Sequence, residues 1–394
     1  METINVARFK PYRHMRWYRS NYLWQPAINK SLLDYKINVF DEGHGAADVL
    51  AIPCPHIPGR EGLSHRDDLL WIKQGHRGLF DYCDTPMVCD SGIDYAYLDP
   101  PMRNLISHPQ VRAYLPGVKF RDPSLQQRRS WGGEYYGMVY KERELYNRGP
   151  DTRTDREPLP RELAAKMQPI TRPPTPPFSN NVFEHIASEF RPLHKRNIDV
   201  FFSGRTAYAP ASVTTHPTSA RQHLRDIWDT LPGKVKVFKE YHDFHGTKKY
   251  GKAVKVFQYP YEYVDALLDT KIVISPWGWS PWCVRDLEAL ACGCIVIKPE
   301  CSNLVIYPDI YDPKKQLMVW CDLMYEGLAG QVDYCLANLN EMQDRANRGR
   351  QLVTEALWPN EKIYSTWTRS LRKVLEEAAN TNNYSTSKLI PEAY

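Results

Sequence analysis

The chain reads as an α/β protein of two Rossmann-like halves. Three observations predict this. In the first half, short apolar runs end in Asp/Gly-rich loops. In the second, strand and helix patterns alternate, as a doubly wound sheet requires. A proline-rich stretch lies between the two. At 394 residues, a pair of domains of about 180 residues each fits the usual domain size. The expected division is 1–190 and 191–394.

In the first half, Tyr35–Phe40 (YKINVF) and Ala47–Ile52 (ADVLAI) read as strands separated by the loop Asp41-Glu-Gly-His-Gly45. Arg66–Phe80 reads as a helix and Pro86–Cys89 (PMVC) as a short buried strand running into Asp90-Ser-Gly92. Residues at strand carboxyl ends are where such sheets hold ligands. From Gly149 to Phe178, eight prolines mark a linker or a polyproline-like excursion. Asn180–Phe190 then reads as a bridging helix.

The second half opens with the strand Asn197–Phe202 (NIDVFF), ending in Ser203-Gly204-Arg205. A helix over Ser219–Leu231 stops at Pro232-Gly233. Val235–Phe238 is a strand, Tyr261–Leu268 a helix and Lys271–Ile274 (KIVI) a strand stopped by Ser275-Pro276. Val284, Leu287 and Ala291 fall at helical spacing. Gly293 stands where a C-cap glycine belongs, and Cys294–Ile297 (CIVI) reads as a fully buried parallel strand. Trp358–Asn380 is helical, with apolar residues at Ile363, Trp367, Leu371, Val374 and Leu375. Thr381–Tyr394 shows no periodicity.

Composition narrows the function classes. With 42% hydrophobic and 25% charged residues the chain is globular. A net charge of +5, from 51 basic and 46 acidic residues, suits an anionic small molecule. It falls short of the basic stripe of a duplex-DNA binder. The nine cysteines form no C-x-x-C pair, which points to reduced thiols and away from a zinc finger. The N-terminal stretch carries basic residues without an apolar core, and no run reaches the roughly 18 apolar residues of a membrane span. The expectation is a soluble cytoplasmic protein without a signal peptide or membrane anchor.

The most informative segment is Ser275–Pro299, SPWGWSPWCVRDLEALACGCIVIKP. It combines a strand end, a Gly-containing loop, a helix bearing Arg285 and Glu288 on one face, and a second buried strand. A cation and an acceptor beside a loop at a strand's carboxyl end is a nucleotide-binding placement. Pro276, Gly278, Arg285, Glu288, Ala289, Leu290, Gly293, Cys294, Ile295 and Ile297 resemble the donor-binding motif of GT-B glycosyltransferases, most closely the exostosin-like group. An ordinary strand–helix–strand unit capped at Gly293 is the bland alternative.

The resemblance implies GT-B architecture, two Rossmann-like domains facing a cleft with the C-terminal helix 358–380 crossing back to the first, in a hexosyl- or pentosyltransferase that takes a nucleotide-diphosphate sugar and glycosylates a hydroxyl of a glycan or glycoprotein. Glu288 would bond the ribose hydroxyls, with the loop and Arg285 near the phosphates. Gly204 and Arg205 correspond to a phosphate-contacting loop, although a turn glycine with a solvated arginine is equally ordinary. Ser275, Trp277, Gly278, Trp279 and Ser280 would line the donor, with at least one of the tryptophans Trp277, Trp279 and Trp282 anchored in the core. Tyr261 would flank the base. No cofactor or metal is implied, since side chains and helix dipoles hold the diphosphate in this fold. His242-Asp243-x-His245 reads as a solvated basic loop in preference to a metal site.

An acceptor hydroxyl needs a general base from the first half. Asp41 and His44 in the DEGHG loop, and Asp90 or Asp94 after PMVC, are the candidates. Ser280, eight positions before Glu288, stands where some GT-B families place a second acid, which leaves stereochemistry open. Two other classes compete. A non-catalytic nucleotide- or glycan-binding protein would lack a base facing the donor. A nucleic-acid binder would use the scattered Arg and Lys residues, but these are interleaved with acids, as at Arg143-Glu144.

Overall fold

The computed structural model describes residues 2–8, 32–41, 46–53, 85–90, 106–115, 119–121, 163, 166, 178–204, 216–240, 261–277 and 282–380. Two parallel five-stranded sheets organise them. The first contains β1 (Ile4–Arg8), β2 (Ile37–Asp41), β3 (Val49–Pro53), β4 (Met87–Asp90) and β5 (Val111–Leu115) in the order β2-β1-β3-β4-β5. Every pairing in it is parallel. β1 was not among the strands read from the sequence; the short run INVAR is too brief to stand out beside its basic surroundings.

The short strand β6 (Lys119–Phe120) follows, and α1 (Asn180–Glu189) leads into the second half. The second sheet contains β7 (Ile198–Gly204), β8 (Lys236–Glu240), β9 (Thr270–Ile274), β10 (Ile295–Pro299) and β12 (Met318–Cys321). Their order is β12-β10-β9-β7-β8, again all parallel. Between them run α2 (His216–Ile227), α3 (Tyr261–Leu268), α4 (Val284–Ala291) and the two-residue β11 (Leu304–Val305). α5 (Leu328–Ala337), α6 (Leu339–Leu357) and α7 (Asn360–Ala379) complete the chain. No helix among the described residues is long and apolar enough to cross a membrane.

The apolar runs behave as strands covered on both faces should. Val200, Phe201, Phe202, Ile272, Val273, Ile274, Val296 and Ile297 are all fully buried. α1 belongs to this second core, through Val182, Phe183 and Ile186. The first core is closed by α7. Trp367, Leu371, Val374, Leu375 and Ala378 pack on Ile4, Val6, Ile37, Val49, Val88 and Ala113 of the first sheet. Arg372 fixes this crossing helix by donating to the carbonyls of Tyr35 (2.7 Å), Lys36 (3.2 Å) and Glu2 (2.8 Å). The fold is thus the α/β pair of Rossmann-like sheets expected, with its last helix crossing back.

A second link joins the halves. β6 pairs antiparallel with β11, and Arg121 beside it makes a forked ion pair with Asp309 at 2.9 Å on both oxygens. It also donates to the carbonyls of Ser302 (3.1 Å) and Leu304 (3.3 Å).

Candidate functional site at the second switch point

In the second sheet the chain runs from β7 outward to β8, then returns past β7 to β9. The order therefore reverses between β7 and β9, and in open α/β sheets the crevice at the carboxyl ends of such a pair is the usual ligand position. Gly204 ends β7 and Ser275 follows β9. α4 starts just beyond, so its first turns face that crevice. Its far end is closed by a Schellman arrangement. Cys294 N–H donates to Ala289 O and Gly293 N–H to Leu290 O, both at 2.9 Å, with Gly293 at φ +67°. The glycine is required there twice over, since a Cβ would stand 2.7 Å from the Phe190 ring.

Arg285 and Glu288 lie on the crevice side of α4, ringed by protein yet each keeping some access to solvent. The Arg285 guanidinium lies 5.4 Å from the centroid of the Phe202 ring. A Cβ on Gly204 would come within 2.7 Å of its Nη2. The glycine is thus needed for room, not for its backbone angle. Arg285 makes no ion pair among the described residues, and its Nη1 is buried without a hydrogen-bond partner. Glu288 and Asp286 act on it from beyond ion-pair distance; a buried cation met no more closely than that is costly unless something anionic reaches it.

Glu288 accepts from the Tyr263 hydroxyl on Oε2 at 2.9 Å; among the described residues no protein donor reaches Oε1. Burial lifts its pKa to about 7. The Tyr263 hydrogen bond and the Arg285 charge pull it back, while Asp286 adds repulsion. A carboxyl poised near neutrality beside a free cation belongs to a site more often than to a scaffold.

The helix carries a second carboxylate, Asp286, which the motif reading passed over. It is fully buried and accepts from Ser275 Oγ (2.5 Å) and from the Tyr311 hydroxyl, and pairs with Lys298 Nζ at 3.0 Å. Lys298 is itself fully buried in β10 and also reaches Ser275 O at 3.5 Å. Every charge here has its counter-charge, so this network holds the loop down and leaves Arg285 as the unmatched group. Its sequence signal was a lysine inside an otherwise apolar buried strand, IVIKP.

The expected donor residues separate into two roles. Ser275 is fully buried, its hydroxyl spent on Asp286. Trp277 is 1% exposed, and its indole donates to Pro299 O at 3.0 Å. Arg221 of α2 clamps the same loop from the other side, donating Nε to Trp277 O at 2.8 Å. Ser275 and Trp277 therefore support the loop from beneath, in place of the ligand contacts expected of them, and Trp277 is a core anchor. Tyr261 is 45% exposed at the start of α3, edge-on to His185. Tyr263, two residues on and so on another face of α3, is the tyrosine that touches the site. The sequence offered no way to choose between the two.

Arg205, Gly278, Trp279, Ser280, His44, Asp94, His242, Asp243 and His245 lie outside the described residues, as do the helix expected over Arg66–Phe80 and nearly all of the proline-rich stretch. Asp41 closes β2 opposite Arg8 of β1, and Asp90 closes β4 opposite Pro53 of β3. The first sheet reverses between β1 and β3, so the two aspartates flank its switch point, one strand out on either side. Among the described residues no three His, Cys, Asp or Glu side chains gather closely enough to hold a metal ion.

No protein-family model and no curated protein matches the chain. Among solved structures, the wall teichoic acid polymerase TagF is similar over 95% of this chain and 89% of its own. The identity is 10% and the TM-score 0.28, too low for the likeness to carry any inference about this site.

Proposed function

We propose that the chain is a GT-B glycosyltransferase that moves a sugar from a nucleotide-diphosphate sugar to a hydroxyl of a glycan acceptor. The observation that carries this reading is the pairing of Arg285 and Glu288 at a switch-point crevice. Among the described residues Arg285 forms no ion pair and its buried Nη1 has no hydrogen-bond partner, while Glu288 has one oxygen held by Tyr263 and one that no described donor reaches. A cation awaiting a diphosphate and an acceptor awaiting vicinal hydroxyls, three residues apart, match the two ends of a nucleoside diphosphate.

In this reading Gly204 lets the ligand approach β7 closely, and α4 adds its N-terminal dipole. The acceptor hydroxyl oxygen attacks the anomeric carbon while the bond from that carbon to the diphosphate oxygen breaks. Asp41, His44 or Asp90 takes the hydroxyl proton. The negative charge gathering on the departing diphosphate is met by Arg285, with Arg205 as its partner. No resident cofactor or metal enters the scheme.

The test is calorimetric binding of uridine, guanosine, cytidine and adenosine diphosphates, each with EDTA and again with Mg²⁺. One base should bind in the micromolar range in both conditions. Arg285→Gln should weaken it at least tenfold, the worth of one charge-assisted contact being about 1.5–3 kcal/mol. Equal affinity in Arg285→Gln and wild type would refute the assignment. Binding without turnover of any nucleotide-sugar, together with indifference to Asp41→Asn and Asp90→Asn, would mark a non-catalytic binding protein instead.

A further inference from the structure

Among the described residues, the donor that reaches Glu288 comes from a different helix. Tyr263 lies in the first turn of α3, on the buried stripe that it forms with Val264, Leu267 and Leu268. Tyr263 and Leu267 are one helical turn apart and so share a face. Only Asp269 separates α3 from β9, so the helix ends where the strand begins. Its first turn therefore lies back toward the carboxyl edge of the parallel strands. Tyr263 is 7% exposed, and its ring packs on Phe201 of β7 with centroids 6.3 Å apart. From that seat the hydroxyl donates to Glu288 Oε2 at 2.9 Å.

A glutamate side chain is long and rotatable, and its carboxylate can accept on either oxygen. The phenol removes that freedom, because its own ring is fixed by the helix and by Phe201. With Oε2 tied, Oε1 is the oxygen left over. No donor among the described residues reaches it, and Arg285, one turn earlier on α4, stays beyond ion-pair distance. Glu288 is also only half-buried, so it keeps a way out to solvent. Asp286 shows the contrast. It is fully buried, and both of its oxygens are taken, by Ser275, Tyr311 and Lys298.

We infer that Tyr263 is a positioning residue for ribose recognition, its hydroxyl fixing the Glu288 carboxylate so that Oε1 is presented to the sugar hydroxyls. This deepens the nucleotide-diphosphate reading and rests on it. Tyr263 touches no part of the ligand and acts through Glu288 alone. An acceptor already held in place loses less freedom on binding than one the ligand must order. The preference for a ribonucleotide over one lacking the ribose hydroxyls therefore depends on the phenol.

The experiment compares Tyr263→Phe with wild type in calorimetric titrations of the four nucleoside diphosphates, their 2′,3′-dideoxy forms and inorganic pyrophosphate. Wild type should bind one ribonucleotide about tenfold more tightly than its dideoxy form, the worth of a hydrogen bond to a charged group. In Tyr263→Phe that ratio should fall to about threefold or less, while the dideoxy form and pyrophosphate bind as they do to wild type. In a Glu288→Gln background, adding Tyr263→Phe should change ribonucleotide affinity by less than about twofold. A tenfold ratio kept in Tyr263→Phe would overturn the inference and leave the nucleotide reading intact. Equal losses for all three probes, with a lower melting temperature, would overturn it too, since Tyr263 would then serve the fold alone. A full loss in the Glu288→Gln background would mean that Tyr263 meets the ligand directly, and would also sink the positioning role. Wild type that binds ribonucleotide and dideoxynucleotide equally would take both Glu288 and Tyr263 away from the ribose. Wild type that binds no nucleotide would overturn this inference and the nucleotide reading together.

Discussion

At the scale of single residues, the site turns on which charges are matched. Asp286 and Lys298 neutralise one another inside the core, with Ser275 and Tyr311 filling the remaining valences of the carboxylate. Removing one member leaves the other charged and buried, so Lys298→Met should lower stability by about 3–5 kcal/mol, visible as a drop in melting temperature. Glu288 follows the opposite logic. Its pKa stands at about 7 against an ordinary 4.5, so between those values the folded protein keeps a proton that the unfolded chain has released. Stability from this group is full below pH 4.5 and is lost as pH rises through 7. Glu288→Gln should flatten that slope in thermal melts taken from pH 4.5 to 8. Ligand binding runs the other way: if ionised Glu288 holds the ribose, nucleotide affinity rises from pH 6 to 8 in wild type. A wild-type affinity flat across that range would remove Glu288 from the ribose. Gly204→Ala tests the seat of Arg285, because a Cβ would stand 2.7 Å from Nη2. Binding should weaken several-fold, with melting temperature little changed, since the displaced group is the end of a long side chain.

At the scale of elements, the sequence disclosed what depends on local pattern. Four of the five strands of the second sheet, α4 and its glycine cap were readable because apolar runs, helical spacing and a left-handed terminus each have a local cause, while β12 went unread. What could not be read were contacts set by distant parts of the chain. Trp277 and Ser275 look like ligand residues in a loop, but Pro299 and Asp286, brought up by β10 and α4, claim them. Lys298 can stand in its apolar strand because α4 supplies Asp286. The β6–β11 ribbon belongs to the same class, since its halves are nearly two hundred residues apart. Arg121 there meets Asp309 through two hydrogen bonds and reaches two carbonyls. Asp309 is only 10% exposed, so the pair is shielded in a way surface ion pairs are not. A double-mutant cycle of Arg121→Ala with Asp309→Ala should give a coupling of about 1–2 kcal/mol. A coupling near zero would mean that the ribbon is held by its backbone alone.

At the scale of the whole molecule, neither half is complete without the other. The first sheet is closed on one face by α7, the last described element of the chain, so its core depends on residues more than 250 positions downstream. A terminal helix was legible, because Trp367, Leu371 and Val374 recur at helical spacing after the second half has already formed its sheet, and its crossing back was what the GT-B resemblance implied. Which face they would cover was not, since periodicity says only that a stripe is apolar. The consequence is a selective lesion. Leu371 is fully buried against the first sheet, and Leu371→Ala should cost about 2–5 kcal/mol. That loss falls on the first half, because α7 contributes to the first core while the switch-point crevice rests on the second. Limited proteolysis should then cut within residues 1–190 at protease levels that spare wild type, while pyrophosphate titrates as before. Simultaneous loss of both properties would show that the two sheets unfold as one cooperative unit and that the ribbon and crossing helix couple them tightly. Resistance equal to wild type would show that α7 lies on the first sheet without holding it together.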